Sequence, residues 1–256
     1  MRTALRRTAP AVLAIGALAL TAACGGSADA DDKDGAKATP STAPAAKPLT
    51  QAQVEKALLA TQDMPAGWSF DEETSSDNAG TGEFQAAVAD KKQCQPLLDG
   101  IVGSDETPKP AESDVAVFVK GGADTAPAIV HGVTAFTEKQ AADLMKTDIS
   151  EVPAGCHTFN ASDESLGDVK VTVSELAVPE LADGSMGVRV LLDPAEADVY
   201  SVQYDMAVAR VGGAIVNVAE ISYTKDDQAA FEQAIKTAVA KAEKVTKAAA
   251  KAGSAA

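Results

Sequence analysis

The sequence predicts an α+β domain: one antiparallel or mixed β-sheet packed against α-helices, standing behind a disordered tether. Two observations lead there. Consecutive β-branched runs separated by turn glycines read as hairpins, and amphipathic helical segments fall between and after them. A third excludes the main competitor, because the strict strand-and-helix alternation of a parallel doubly wound sheet is missing. The chain divides into residues 1–23 as a signal peptide, 24–48 as a lipidated cysteine and tether, 49–249 as a single domain covered by helices on one side, and 250–256 as a fraying tail.

The N-terminus carries an export address. Arg2, Arg6 and Arg7 form a basic head, and the uncharged run from Ala11 to Leu20 is well short of the about 20 apolar residues that span a bilayer. Leu20-Thr21-Ala22-Ala23-Cys24 resembles the bacterial lipobox, in which the cysteine is acylated and becomes the new N-terminus, although Thr21 stands where leucine is commonest. The alternative is an ordinary Ala-x-Ala cleavage with Cys24 a bystander. Residues 25–48 hold no aromatic and no large aliphatic side chain, so nothing offsets the entropy of ordering them. Such a tether reaches roughly 25 to 30 Å.

The elements follow in order. Thr50 to Gln53 form a capping box that opens a helix to about Thr61. Met64-Pro65-Ala66-Gly67-Trp68 is a turn into a short strand ending at Phe70, with Trp68 expected to pack on the sheet. Asp71 to Gly82 read as a polar loop, and Glu83 to Ile101 as a helical region broken by Pro96. Val115 to Val119 and Ile129 to Phe136 make a hairpin. Thr137 to Gln140 repeat the capping box and start a helix with Ala141, Leu144, Met145 and Ile149 in register. Val169 to Val173 and Met186 to Leu192 are strands, and Val199 to Val211 and Ala214 to Tyr223 form a long hairpin turning at Gly212-Gly213. In its first arm Tyr200, Val202, Tyr204, Met206 and Val208 share one face and Ser201, Gln203 and Asp205 the other, which predicts one core face and one wet face. A helix from about Asp226 to Lys247 buries Phe231, Ile235, Ala238, Val239 and Ala242.

Setting aside Cys24, the remaining Cys94 and Cys156 are an even pair in an exported chain and predict a disulfide, with two independent buried thiols as the alternative. Counting 22 basic and 37 acidic residues and removing the three signal arginines leaves a net charge of about −18. That excludes nucleic acid as a partner and leaves any contact with anionic lipid to the acyl anchor.

The helix leading into residues 64–68, the segment carrying Cys94, the strands ending in an aromatic before Thr137-Glu138-Lys139-Gln140-Ala141-Ala142, Cys156 after that helix, and the Arg210-Val211-Gly212-Gly213-Ala214-Ile215-Val216 hairpin together resemble the extracellular sensor domain of PknH-type actinobacterial kinases and their free-standing lipoprotein relatives. The resemblance implies an α+β fold with a cleft, no catalysis, and an unidentified ligand. It also implies two disulfides, of which this sequence can form one.

Chemistry-bearing motifs are sparse. His131 and His157 are the only histidines, so no multi-histidine metal site can form. Gly80-Thr81-Gly82 lacks the third glycine and the preceding strand of a phosphate loop. Ser222-Tyr223-Thr224-Lys225 and Ser76-Asp77-Asn78 match penicillin-binding motifs in the wrong order and without Lys-Thr-Gly. No cofactor is expected. One constellation remains: Arg189, Gln203, Asp205 and Asn217 would project from neighbouring strands toward a cleft and hold a small polar ligand, unless they form an ordinary solvated sheet face. Three classes of function therefore compete: a non-catalytic ligand-binding or sensor-like lipoprotein on the outer face of the cell membrane, held there through Cys24; a lipoprotein that binds an envelope protein or glycan; and a hydrolase using dispersed carboxylates.

Overall fold

The computed structural model describes residues 47–76, 87–102, 108–121, 127–146, 152–163, 166–196, 199–223 and 226–253. The signal peptide, Cys24, nearly all of the tether and the motif residues 77–82, 224 and 225 lie outside the described residues. No helix among the described residues is long and apolar enough to cross a membrane.

Strands β1 (Trp68–Phe70), β2 (Val88–Ala89), β3 (Glu112–Lys120), β4 (Ala128–Ala135), β5 (Thr158–Asp163), β6 (Gly167–Glu175), β7 (Ser185–Pro194), β8 (Val202–Val211) and β9 (Ala214–Ser222) form one sheet in the order β1-β3-β4-β9-β8-β7-β6-β5-β2. Every neighbouring pair is antiparallel. Helices α1 (Gln51–Ala57), α2 (Glu72–Ser76), α3 (Gln95–Val102), α4 (Glu138–Leu144) and α5 (Gln228–Gly253) complete the domain. The α+β class read from the sequence is the observed one.

Both capping boxes have a local signature. The Gln53 side chain accepts the Thr50 N–H at 2.8 Å, and Thr137 and Gln140 exchange bonds at 3.1 and 3.2 Å. Several regions differ from the reading. The first helix, read to about Thr61, ends at Ala57, and the stretch read as a polar loop from Asp71 opens with α2. Of the stretch read as a helix from Glu83 to Ile101, the described part begins at Ala87 and is not a helix broken by proline: β2 comes first, then a 3-10 turn over Lys92–Cys94, and Pro96 sits in the first turn of α3, where its missing N–H has no intrahelical partner to lose. Strand β5 went unread because Phe159 and Ala161 are its only buried apolar side chains.

Helices do not cover a single side. On one face, here the inner face, α1 and α5 pack over β3, β4, β9 and β8, around Ile129, Val133, Ala207, Ala209, Val216 and Val218. Ala230, Ala234, Ala238 and Ala242 recur every four residues on α5 and are all buried, so the helix approaches the alanines of β8 closely. At the far end of the sheet the core lies on the opposite, outer face, where Phe159, Val171, Val190, Leu192, Val202 and Tyr204 pack with Leu98 of α3 and the bridge between Cys94 and Cys156. Strand β8 belongs to both cores. Val202 and Tyr204 are buried outward, then Asp205, Ala207, Ala209 and Val211 inward. The expected division into one core face and one wet face thus fails, because the buried side changes midway along the strand. Trp68 is 5% exposed and packs in the inner core, as expected.

The β8–β9 turn sets the register. Gly212 has φ +60°, and a Cβ on Gly213 would stand 2.5 Å from the Phe136 carbonyl oxygen, a backbone atom that cannot swing aside. Gly213 also accepts the Phe136 N–H at 2.8 Å. Gly213→Ala should therefore lose about 1 to 3 kcal/mol in urea denaturation, while an alanine at the open Gly121 turn, strained only by its φ of +78°, should cost less.

Candidate functional site

The site lies where the inner core stops. Beyond α5 the inner face of β8, β7, β6 and β5 has no described helix over it and carries Gln203, Arg189, Ser174, Thr172, Lys170, Asn160 and Ser162 around Leu191, all half-buried or exposed. Its outer end forms a shallow depression of about 670 Å³ lined by Asn160, Lys170 and Asp193. At its inner end stand buried polar groups. The four buried polar residues among those described, His131, Asp205, Glu220 and Ser222, all point to this face.

Arg189 of β7 and Asp205 of β8 are direct cross-strand partners. The guanidinium grips the carboxylate through both prongs, Nε to Oδ1 at 2.6 Å and Nη2 to Oδ2 at 2.5 Å, with the Gln203 amide at 3.4 Å. Hydrogen bonding to Asp205 raises the Arg189 pKa further. Asp205 is 1% exposed, so the pair fixes the arginine from the buried side and leaves its outer edge to solvent.

Glu220 of β9 is the next partner across the sheet from Asp205 and is equally buried. Its Oε1 accepts the Asp227 N–H at 2.5 Å, and its Oε2 has no partner among the described residues. Burial pushes the Glu220 carboxyl up to about 7, against the pull of the Asp227 amide and with like charge from Asp205, Asp226 and Asp227 adding to it. Asp227 caps α5 by accepting the Ala230 N–H and is held low by Lys120, 2.6 Å away. The Trp68 indole lies beside Asp227, close enough to help hold it low, yet its Nε1 finds no acceptor in good geometry among the described residues.

His131 is the strand histidine the sequence indicated, and it is structural. Its Nδ1 accepts the Leu59 N–H at 3.0 Å, tying the end of α1 to β4. Burial, and then Lys241, push its pKa down to about 3. Lys241 itself pairs with Asp63 at 2.6 Å. Among the described residues no group of three histidine, cysteine or acidic side chains is placed to hold a metal ion.

Of the four sequence-derived candidates, Arg189, Gln203 and Asp205 come together and Asn217 does not. Asn217 pairs with Val208 and Gly132 and lies on the outer face, where a Cβ on Gly132 would stand 2.4 Å from its Oδ1. Glu220 and Asp227 were not singled out. The signal for Glu220 was a carboxylate on the inward parity of a strand otherwise reading Ala214, Val216, Val218.

No family model matches the chain, and no curated protein matches it. In structure it is similar to the extracellular domain of PknH from Mycobacterium tuberculosis, over 78% of this chain and 98% of that one, with 16% identity and a TM-score of 0.50. The chain has the fold of the PknH extracellular domain. A Mycobacterium smegmatis protein, the ortholog of Rv0999, aligns over 78% and 98% of the two chains at 12% identity and a TM-score of 0.40. The resemblance read from the Met64 turn and the Gly212-Gly213 hairpin therefore holds at the level of fold. The PknH domain and this chain differ at most aligned positions, so side-chain roles rest on the geometry above.

Proposed function

We propose that this chain is an extracytoplasmic ligand-binding domain, non-catalytic and anchored in the membrane through lipidated Cys24. It would take a small polar ligand on the helix-free inner face around Arg189 and Gln203. The observation that carries the reading is that this uncovered polar face ends on an arginine whose buried side is already fixed by Asp205. The outer edge of the guanidinium can then meet a ligand without further ordering cost, beside the Gln203 amide that Asp205 also holds. Because Arg189 and Asp205 together are neutral, the face suits hydroxyl, amide or zwitterionic groups better than a strong anion. The bridge between Cys94 and Cys156 supports an oxidising compartment. The PknH-like fold supports the sensor-like class.

Native purification from membranes followed by mass spectrometry tests the ligand. A specific small molecule should co-purify with the wild type and be lost from Arg189→Ala. A stoichiometric protein in its place would favour an assembly role, and nothing retained would overturn the reading. For the anchor, radiolabelled palmitate should enter the wild type and not Cys24→Ser; an unlabelled wild type would make the chain a freely secreted protein.

A hydrolase is the second reading, favoured by the direct pairing of Asp205 with Glu220 and by the Glu220 carboxyl lying near neutrality. Both side chains are only 1% exposed, so a substrate would have to open the α5 end of the site to reach them.

A further inference from the structure

The inner face of β9 is apolar at Ala214, Val216 and Val218, where α5 rests, and then places Glu220 at the point where α5 begins. The side chain has one link to the helix, the Asp227 N–H, and a second oxygen with no partner among the described residues. Charged groups face it from several elements. Asp205 approaches from β8 with Arg189 of β7 behind it, Asp226 and Asp227 from the start of α5, and Lys120 from β3, already engaged by Asp227. From β4 the direct neighbour is uncharged Ile129, and His131, two residues along, is neutral and tied to Leu59. Residues 224 and 225, which join β9 to α5, lie outside the described residues. Among the described residues, carboxylates thus outnumber cations around Glu220 even before it ionises.

We propose that Glu220 is a proton-operated latch for α5: neutral, it seats the first turn of the helix on the sheet, and ionised, it drives that turn outward until water reaches the carboxylate. In the neutral form the carbonyl oxygen accepts the Asp227 N–H, and the acidic proton is available to a neighbouring carboxylate. Loss of the proton leaves a buried negative charge directly beside buried Asp205, with half-buried Asp227 and exposed Asp226 adding like charge from the start of the helix. The Asp227 amide and the helix dipole both favour the anion. They act through a single bond, whereas burial removes the whole hydration shell, and the carboxyl accordingly sits at about 7 instead of its usual acidic value. Lifting the start of α5 hydrates the anion without dismantling β9. Because the inner face of α5 borders the Arg189 face, the latch would make the edge of that face pH-responsive near neutrality.

Amide hydrogen exchange at residues 228–232, corrected for intrinsic rates, reads the latch directly. In the wild type, protection should fall about tenfold between about pH 5.5 and about pH 8.5, and Glu220→Gln should keep it at both. Unchanged protection in the wild type, or the same fall in Glu220→Gln, would overturn the proposal. Should that variant not fold, Trp68 serves instead: it is the single tryptophan of the chain, buried beside Asp227. Its fluorescence in the wild type should step with a midpoint near neutrality, and Asp205→Asn should move the midpoint lower by removing a like charge. No step, or one that Asp205→Asn leaves in place, would equally overturn it.

Discussion

Denaturant titrations across pH should find the domain most stable between about pH 4.5 and about pH 6.5 and weaker on either side. His131 sets the acid limb. Its pKa is about 3 in the fold against 6.5 in the unfolded chain, so its contribution is complete above 6.5 and is lost as pH falls, because the unfolded chain takes up a proton that the buried ring refuses. Glu220 sets the alkaline limb with the opposite sign. Its pKa is about 7 in the fold against 4.5 unfolded, so its contribution is complete below 4.5 and is lost as pH rises through 7. Between 4.5 and 6.5 both states hold the same number of protons on these two groups, and the slopes cancel. At about 1.4 kcal/mol per pH unit and per proton, His131 contributes roughly 5 kcal/mol and Glu220 roughly 3 over their full ranges. Because the two cancel between 4.5 and 6.5, the net loss in the wild type is roughly 2 kcal/mol from pH 4.5 to 3 and about 1 or less from pH 6.5 to 7, against a typical total of about 5 to 15 kcal/mol; each full limb appears only when the other group is removed. Asp63 and Asp227, both held below the usual carboxylate range, steepen the acid limb. His131→Asn, whose side-chain oxygen can still accept the Leu59 N–H, should lose much of the acid limb and keep the alkaline one. Glu220→Gln should do the reverse. A wild-type profile that rises steadily from pH 4.5 to 9 would refute the assignment.

The elements themselves were legible because alternation and capping are local. The capping boxes at Thr50 and Thr137, the Met64 to Trp68 turn and the long hairpin depend on residues within a few positions of each other. Which parity of a strand is buried is not local. In β8 the alternation Val202, Tyr204, then Ala207, Ala209 is visible in sequence, but the cover over it comes from α5 on one side and from the α3 region on the other. Each cover comes from outside the strand, so a switch of buried face cannot be read from the strand alone. The misplacement of Asn217 is different, because its register was available. A two-residue turn at Gly212-Gly213 sets Val211 opposite Ala214, and counting outward brings Asp205 to Glu220 and Asn217 to Val208. That count would have removed Asn217 from the candidate site and added Glu220 to it. The pairing of Arg189 with Asp205 was beyond such counting, since the long β7–β8 connection does not fix a register.

Removing the disulfide should cost about 4 kcal/mol, and the loss should appear first at one end of the sheet. Cys94 and Cys156 are 62 residues apart, their Cα atoms stand 5.5 Å apart, and both are fully buried. In the chain-entropy account a closed loop of that length stabilises by about 4 kcal/mol through restriction of the unfolded chain. What the bridge holds is otherwise weakly attached. Strand β2 has two residues, and the Gln95 side chain, bonded to the backbone of Ala87 and Ala89, is its main link to α3. Cys94→Ala with Cys156→Ala should therefore lower the urea midpoint strongly and speed amide exchange in β2, α3 and β5. Exchange in β4 and α5 should change only with global stability, because their core lies on the other face and meets this one through β8 and the end of β9, where Ile221 and Tyr223 pack outward. Since neither sulfur reaches solvent, a mild reductant should leave the native protein intact and act only as it unfolds. A double variant within about 1 kcal/mol of the wild type, or a loss of protection spread evenly over both faces, would show that the two cores stand or fall together without the bridge.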